Sequence, residues 1–104
     1  MTARTVRWSK AAQLNFRAAV LRVHEDNPVA AARLAETIGE AVEALAKRNT
    51  GRRGRVNGTF EKSFPKWRYI VAFEVRGVSG AQEEIFVLRV IHTSRDWPKG
   101  AWPK

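Results

Sequence analysis

The hydrophobic pattern changes period at Gly51, and that switch limits the possible folds more than any other feature of the chain. Up to that point apolar residues recur every three to four positions, as one face of a helix requires. Beyond it they alternate, as a half-buried strand requires. The resulting order, β-α-α-β-β-β, predicts an α+β domain in which a helical hairpin packs on a twisted, largely antiparallel sheet.

The segment Arg4 to Trp8 alternates polar and apolar, with Val6 and Trp8 spaced for one face of a short strand. Ser9 is a suitable N-cap for a helix running to about Asp26. Wound at about 100° per residue, that helix shows two apolar stripes. One holds Leu14, Ala18 and Leu21; the other holds Ala12, Phe16, Val20 and Val23. A surface helix needs one stripe, so the second must be covered either by the next helix or by a partner chain.

Asn27 is positioned to cap the second helix, and Pro28 falls at its first position, where the missing N–H does no harm. Ala31, Leu34, Ile38, Ala41, Val42 and Leu45 form a single stripe; Arg33, Glu36, Glu40, Glu43 and Lys47 form the wet face. The helix is expected to run to Lys47-Arg48 and stop at Asn49-Thr50-Gly51. Strands are expected over 55–64, ended by Pro65, over 67–75, and over 84–92. The middle one is apolar on both faces and should be central. No repeat or linker divides the chain, which predicts one domain over residues 1–104 with room for a flexible tail at 97–104.

Lysine and arginine number nineteen against ten acidic residues, for a net charge of +9. The imbalance is local: residues 1–46 hold six basic and five acidic residues, whereas residues 47–104 hold thirteen and five. A one-sided positive field favours an anionic partner such as nucleic acid, a ribosome or an acidic protein surface. The chain has no cysteine, no apolar leader and no stretch long enough to span a membrane, which points to a cytoplasmic protein with no membrane partner.

Two histidines on different elements, without a convergent carboxylate cluster, give no metal site, and no cofactor motif is present. His92, Ser94 and Asp96 lie within five residues but lack the elbow and oxyanion hole of a hydrolase, and read as solvated tail residues. The stretch "GRRGRVNG" crowds Arg52, Arg53 and Arg55 into a helix-to-strand loop. Such a loop is either solvated or a docking site for phosphate or carboxylate, since guanidinium groups repel unless an anion lies among them. Lys62 and Arg68 could meet across the sheet, and Arg89, inside an apolar strand, needs either solvent or an acid such as Glu61 or Glu74.

Taken in order, Gly51–Gly54, Gly58-Thr59-x-Glu61, Tyr69-Ile70-Val71, Arg89-Val90-x-His92 and Arg95-Asp96-Trp97-Pro98 resemble the ParE/RelE toxins of bacterial type II toxin-antitoxin systems, specifically the ParE branch. The resemblance runs from Val6 to Pro98. It departs from the branch's usual "GTRE" in having Phe60 in place of the arginine. It implies a RelE/ParE-like fold and neutralisation by a ParD-like antitoxin encoded next to it, whose acidic, partly helical C-terminal segment wraps the toxin. Phe16, Val20, Val23 and Arg17 would be the antitoxin-binding residues.

The ParE branch inhibits DNA gyrase by binding, whereas the RelE branch cuts messenger RNA on the ribosome with basic side chains and a tyrosine or histidine. Here Ile70 follows Tyr69 where the nuclease branch carries an arginine, and Trp97, an indole with no group titrating near neutral pH, stands where an acid or base would be needed. The resemblance therefore implies a gyrase inhibitor with no reaction of its own, using Arg53, Lys62, Arg68, His92, Arg95 and Trp97 to grip its target. Trp97 could equally fold back as a lid. The alternatives are a ribosome-dependent endonuclease in which Arg68, His92 and Arg95 do the chemistry, and a non-toxic basic binding module.

Overall fold

The computed structural model describes residues 4–77 and 83–94. Within them the chain forms β1 (Thr5–Trp8), α1 (Lys10–Asp26), α2 (Pro28–Leu45), β2 (Arg52–Arg53), β3 (Phe60–Phe64), β4 (Tyr69–Gly77) and β5 (Glu83–His92). The strands make one sheet in the order β1-β5-β4-β3-β2. β1 runs parallel to β5, and the remaining neighbours are antiparallel. This is the α+β architecture expected from the change of period.

Ser9 caps α1 and also ties it to the sheet. Its Oγ accepts the Ala12 N–H at 2.9 Å and donates to the Leu88 carbonyl at 2.9 Å, while its own N–H donates to Val87. Asn27 forms the whole connection between the helices. Its N–H donates to the Val23 carbonyl at 2.8 Å, closing α1, and its Oδ1 accepts the Ala30 N–H at 3.1 Å, opening α2. The proline after it fixes the first turn without losing a hydrogen bond. The helices are thus held as a tight hairpin.

All of Ala31, Leu34, Ile38, Val42 and Leu45 are buried, as the single stripe of α2 requires. On α1 the structure chooses between the stripes. Ala12 and Ala19 are buried and Phe16 and Val23 pack against the core, whereas Leu14 and Leu21 stay 56% and 58% exposed. Ala12 and Ala19 share a face of α1 with Asn15, whose Oδ1 accepts the Val90 N–H of β5 at 3.2 Å, so the small residues lie toward the sheet and let the helix approach it closely. Inward-facing Tyr69, Val71 and Phe73 of β4 and Ile85, Val87 and Val90 of β5 complete the core under the hairpin. β4 is buried on both faces from Tyr69 to Phe73 and lies between β3 and β5, the interior position its composition predicts.

Two boundaries differ from the sequence expectation. α2 ends at Leu45, earlier than Lys47-Arg48, because the chain tightens there: Ala46 N–H donates to Glu43 and Lys47 N–H to Ala44, each at 3.1 Å. The Ala46 carbonyl is then free to accept the Arg4 N–H beside β1. The strand expected over 55–64 starts only at Phe60, since residues 54–59 form a turn closed by the Gly54 N–H to Thr59 carbonyl bond at 2.8 Å. Gly58 supplies φ +87° in that turn. The arginines before it are not a loop but β2, with Arg52 opposite Glu61 and Arg53 opposite Phe60.

At the other edge, Arg7 grips Glu84 with two hydrogen bonds of 3.0 and 3.3 Å, and the carboxylate is 7% exposed. Those bonds hold its pKa below the usual carboxylate value against the opposing effect of burial, helped by the charges of Arg7 and Arg76. A carboxyl whose folded pKa is depressed stabilises the fold above its unfolded value, about 4.3, and loses that contribution as pH falls through the folded value. Glu84→Gln should therefore melt below the parent at pH 7, and the gap should close on acidification below about pH 4. A gap that widens in acid would contradict the pairing.

Candidate functional site

Two surfaces gather the residues that the sequence marks for function. The first is a groove of about 600 Å³ between the helices, bounded by Trp8, Gln13, Phe16, Arg17, Glu36, Gly39, Glu40 and Glu43. Its apolar floor is the pair Trp8 and Phe16, with ring centroids 5.3 Å apart. Gln13 donates its side-chain N–H to the Trp8 carbonyl at 3.2 Å, fixing one wall. The other wall is α2, where Glu36, Glu40 and Glu43 are all exposed and Gly39 leaves a gap. A Cβ at Gly39 would meet nothing within 4 Å.

Of the residues expected to contact an antitoxin, Phe16 and Arg17 line this groove. Val23 packs against the core and Val20 is half-buried on the same helix. In the sequence Trp8 belongs to a strand and Glu36, Glu40 and Glu43 to the wet face of a helix, with nothing to set them opposite one another. Only the crossing of α1 over α2 brings them together.

The second surface lies where β3 turns into β4. A pocket of about 440 Å³ is bounded by Arg52, Arg55, Ser63, Pro65, Arg68, Tyr69, Ile70, Thr93 and Ser94. The turn itself is built by Trp67 N–H to Phe64 at 3.0 Å and Arg68 N–H to Pro65 at 3.2 Å, and the Arg68 carbonyl accepts the Thr93 N–H at 2.8 Å. Arg68 is held at φ +62°, the left-handed region. A side chain with a Cβ adopts it at a cost on the order of 1–2 kcal/mol.

Behind the pocket sits Glu61, 2% exposed, the buried carboxylate that the sequence offered as a partner for Arg89. It instead accepts the Arg55 N–H at 2.9 Å and pairs with Arg52 at 3.5 Å, fixing both arginines relative to the sheet. Arg89 lies opposite Ala72, half-buried. Glu74, the other acid considered for it, pairs with Arg76 at 2.6 Å.

The expected target-binding residues are not all assembled. Arg68 lines the pocket, Arg53 lies exposed in β2, and Lys62 turns away to donate to the Thr50 hydroxyl at 2.9 Å, so it does not meet Arg68. His92 is 9% exposed, with its ring edge-on to Tyr69 at 5.0 Å and its Nδ1 accepting the Ser94 N–H at 3.2 Å. Arg95 and Trp97 lie outside the described residues, as does the tail at 97–104. Among the described residues no cluster of histidine and carboxylate side chains could hold a metal ion, and no helix is long and apolar enough to cross a membrane.

Comparison with known proteins fits this geometry. A solved structure titled "Chromosomal ParDE TA system from P. aeruginosa" superposes with a TM-score of 0.67 at 21% identity, over 85% of this chain and 94% of that one, which establishes the shared fold. The Sinorhizobium fredii (strain NBRC 101917 / NGR234) protein named "Putative toxin Y4kP" is 30% identical over 100 residues, covering 95% of this chain and 98% of that protein. The family profile described as "ParE toxin of type II toxin-antitoxin system, parDE" matches residues 6–97, from the first strand through the helical hairpin and the whole of the described sheet. A match of that span places the chain in the ParE toxin family of type II toxin-antitoxin systems.

Proposed function

We propose that the chain is a toxin that inhibits DNA gyrase by binding and is neutralised by a ParD-like antitoxin encoded beside it. The family match over residues 6–97 carries the toxin reading. Two side-chain placements favour binding over RNA cleavage. Ile70, 4% exposed, occupies the pocket wall where the nuclease branch carries an arginine, and His92 is packed against Tyr69 rather than presented to a substrate. Gyrase would be contacted through the basic end of the sheet by Arg53 and Arg68, together with Arg95 and Trp97, since arginine and tryptophan are the commonest interface anchors.

The antitoxin would seat an apolar side chain on Trp8 and Phe16 in the interhelical groove. The three glutamates of α2 then set a condition on it: the segment facing α2 must be neutral or basic, with its acidic residues turned toward the arginine-rich second half. Induction of the gene without its neighbour should produce DNA breaks and halt replication, and the purified chain should block supercoiling by gyrase. Rapid arrest of translation with intact DNA metabolism, or transcripts cut in phase with ribosomes, would overturn the gyrase assignment. Unaffected growth with antitoxin binding retained would identify a non-toxic module.

A further inference from the structure

The side of the sheet turned away from the helices is buried where no described helix or strand lies over it. Residues opposite each other in an antiparallel ladder point to the same side, and successive residues point to opposite sides. Val71 and Val90 are paired and belong to the core under the helices, so the neighbouring pair, Ile70 and Ile91, points the other way. Ala72 does the same. These three are nearly inaccessible, Ile70 at 4%, Ile91 at 3% and Ala72 at 0%, yet none belongs to that core cluster. Further along the same side, Phe86 has its cover in view: the guanidinium groups of Arg7 and Arg76 lie 4.6 and 3.8 Å from its ring centroid. Beside the isoleucines the described neighbours are short or lie to one side. Ser63, opposite Ile70 on β3, cannot reach across, and the pocket of Arg52, Arg55 and Arg68 borders Ile70 but not Ile91. The stem of Arg89 stands next to Ala72 and shields that residue alone.

We propose that this face is a docking surface for the chain's own C-terminal segment, residues 95–104, which turns back over β5 and β4 and seats an indole on Ile70, Ala72 and Ile91. The structure holds one chain, so whatever buries the face belongs to that chain. Three stretches lie outside the described residues. Residues 1–3 precede β1, which β5 separates from β4, and the Arg4 N–H bonds to the Ala46 carbonyl just past α2. Residues 78–82 join Gly77 to Glu83, at the far end of the ladder from Ile70 and Ile91. Residues 95–104 start beside the patch: Thr93 and Ser94 form a turn directly after His92, and the Thr93 N–H bonds to the Arg68 carbonyl. An extended chain gains about 3.3 Å per residue and strands lie about 4.8 Å apart, so crossing β5 and β4 uses only part of the segment. Trp97 and Trp102 are its large apolar side chains, and each precedes a proline, which favours an extended backbone. Three side chains on two adjacent strands make a seat for one indole, and the other is left outward. The inference stands apart from the gyrase reading. A partner would meet this part of the sheet through the segment, and a C-terminal deletion would strip cover from the sheet as well as any contact.

The chain has no cysteine, so single introduced thiols report on each face. Ile91→Cys places one under the proposed cover, Val90→Cys one in the core, and Leu14→Cys one on the exposed side of α1. In the full-length chain, labelling of Ile91→Cys should be at least about a hundredfold slower than that of Leu14→Cys. Adding Trp97→Ser and Trp102→Ser together should speed labelling at Ile91→Cys at least about tenfold and leave Val90→Cys unchanged. The single serine replacements then show which indole holds the seat.

Fast labelling of Ile91→Cys with both tryptophans present would overturn the proposal, as would slow labelling that is indifferent to both serines. If the serine variants unfold, Ile91→Cys and Val90→Cys react together, and the full-length chain with its tryptophans gives the answer. Under mild oxidation Ile70→Cys should close a disulfide within one molecule to Asp96→Cys or Ala101→Cys, whereas Val71→Cys should close none. Failure of Ile70→Cys with both partners would equally overturn it. Gyrase inhibition is scored separately on the unsubstituted chain, so either reading can fail alone.

Discussion

Replacing Phe73 by alanine should destabilise the fold by about 3–5 kcal/mol, the range for truncating a buried phenylalanine. Phe73 is fully buried at the centre of β4, opposite Phe60 and Val87, and its ring stacks on Phe60 at 5.6 Å. The chain also leaves α2 by passing over this ring. A Cβ at Gly51 would lie 2.7 and 2.9 Å from two Phe73 carbons and 3.1 Å from the Glu61 carbonyl, so only glycine passes there. Removing the ring leaves a cavity under both the exit from α2 and the β2–β3 edge. In urea the unfolding midpoint should fall by on the order of 2 M. Gly51→Ala should destabilise the parent yet be tolerated in Phe73→Ala, a coupling that a double-mutant cycle reads directly. A loss below about 1 kcal/mol would remove Phe73 from the centre of the core.

Filling the interhelical groove should separate the toxin from its antitoxin. Gly39 sits in the wall of that groove with open space where its Cβ would be, so Gly39→Trp projects an indole over Trp8 and Phe16 without displacing the core. Affinity for the ParD-like antitoxin should fall about a hundredfold, near 2.7 kcal/mol, the scale of losing a central anchor. If gyrase is the target proposed above, its inhibition by the free chain should be unchanged. Gly39→Ala is the control: it should stabilise α2 by about 0.5–1 kcal/mol, because glycine is a poor helix former, while leaving the groove open. Unaltered antitoxin affinity in the tryptophan variant would move the neutralising contact elsewhere on the surface.

What could be read from the residues divides along a physical line. The stripe of α2, the Asn27 cap, and the interior position of a strand apolar on both faces follow from local periodicity and capping, and the structure has each of them. The inward stripe of α1 was not decidable locally, because Leu14 and Leu21 are more apolar than the Ala12 and Ala19 that are buried. Close approach of this face of α1 to β5, where Asn15 accepts the Val90 N–H, rewards small size, and that is a property of the packed pair. Strand β2 likewise exists only because Phe60 and Glu61 offer it a partner.

The groove was half legible, in that Phe16 and Arg17 were marked, but its acidic wall was assigned to solvent. The pocket was half legible too. Arg52, Arg55 and Arg68 stood out by charge, whereas the left-handed backbone of Arg68 and the burial of Glu61 carry no local signature.

The pairing of β1 with β5 bears on when this protein becomes itself. Ser9 Oγ and its carbonyl acceptor on Leu88 are 79 positions apart in sequence, and Thr5 to Trp8 find their ladder partners only at Glu84 to Val87. A ribosome must therefore translate most of the gene before the helical hairpin can be fastened to the sheet. Closing so long a loop also slows folding relative to a helical bundle of equal size. The nascent chain thus spends most of its synthesis unable to adopt its final shape.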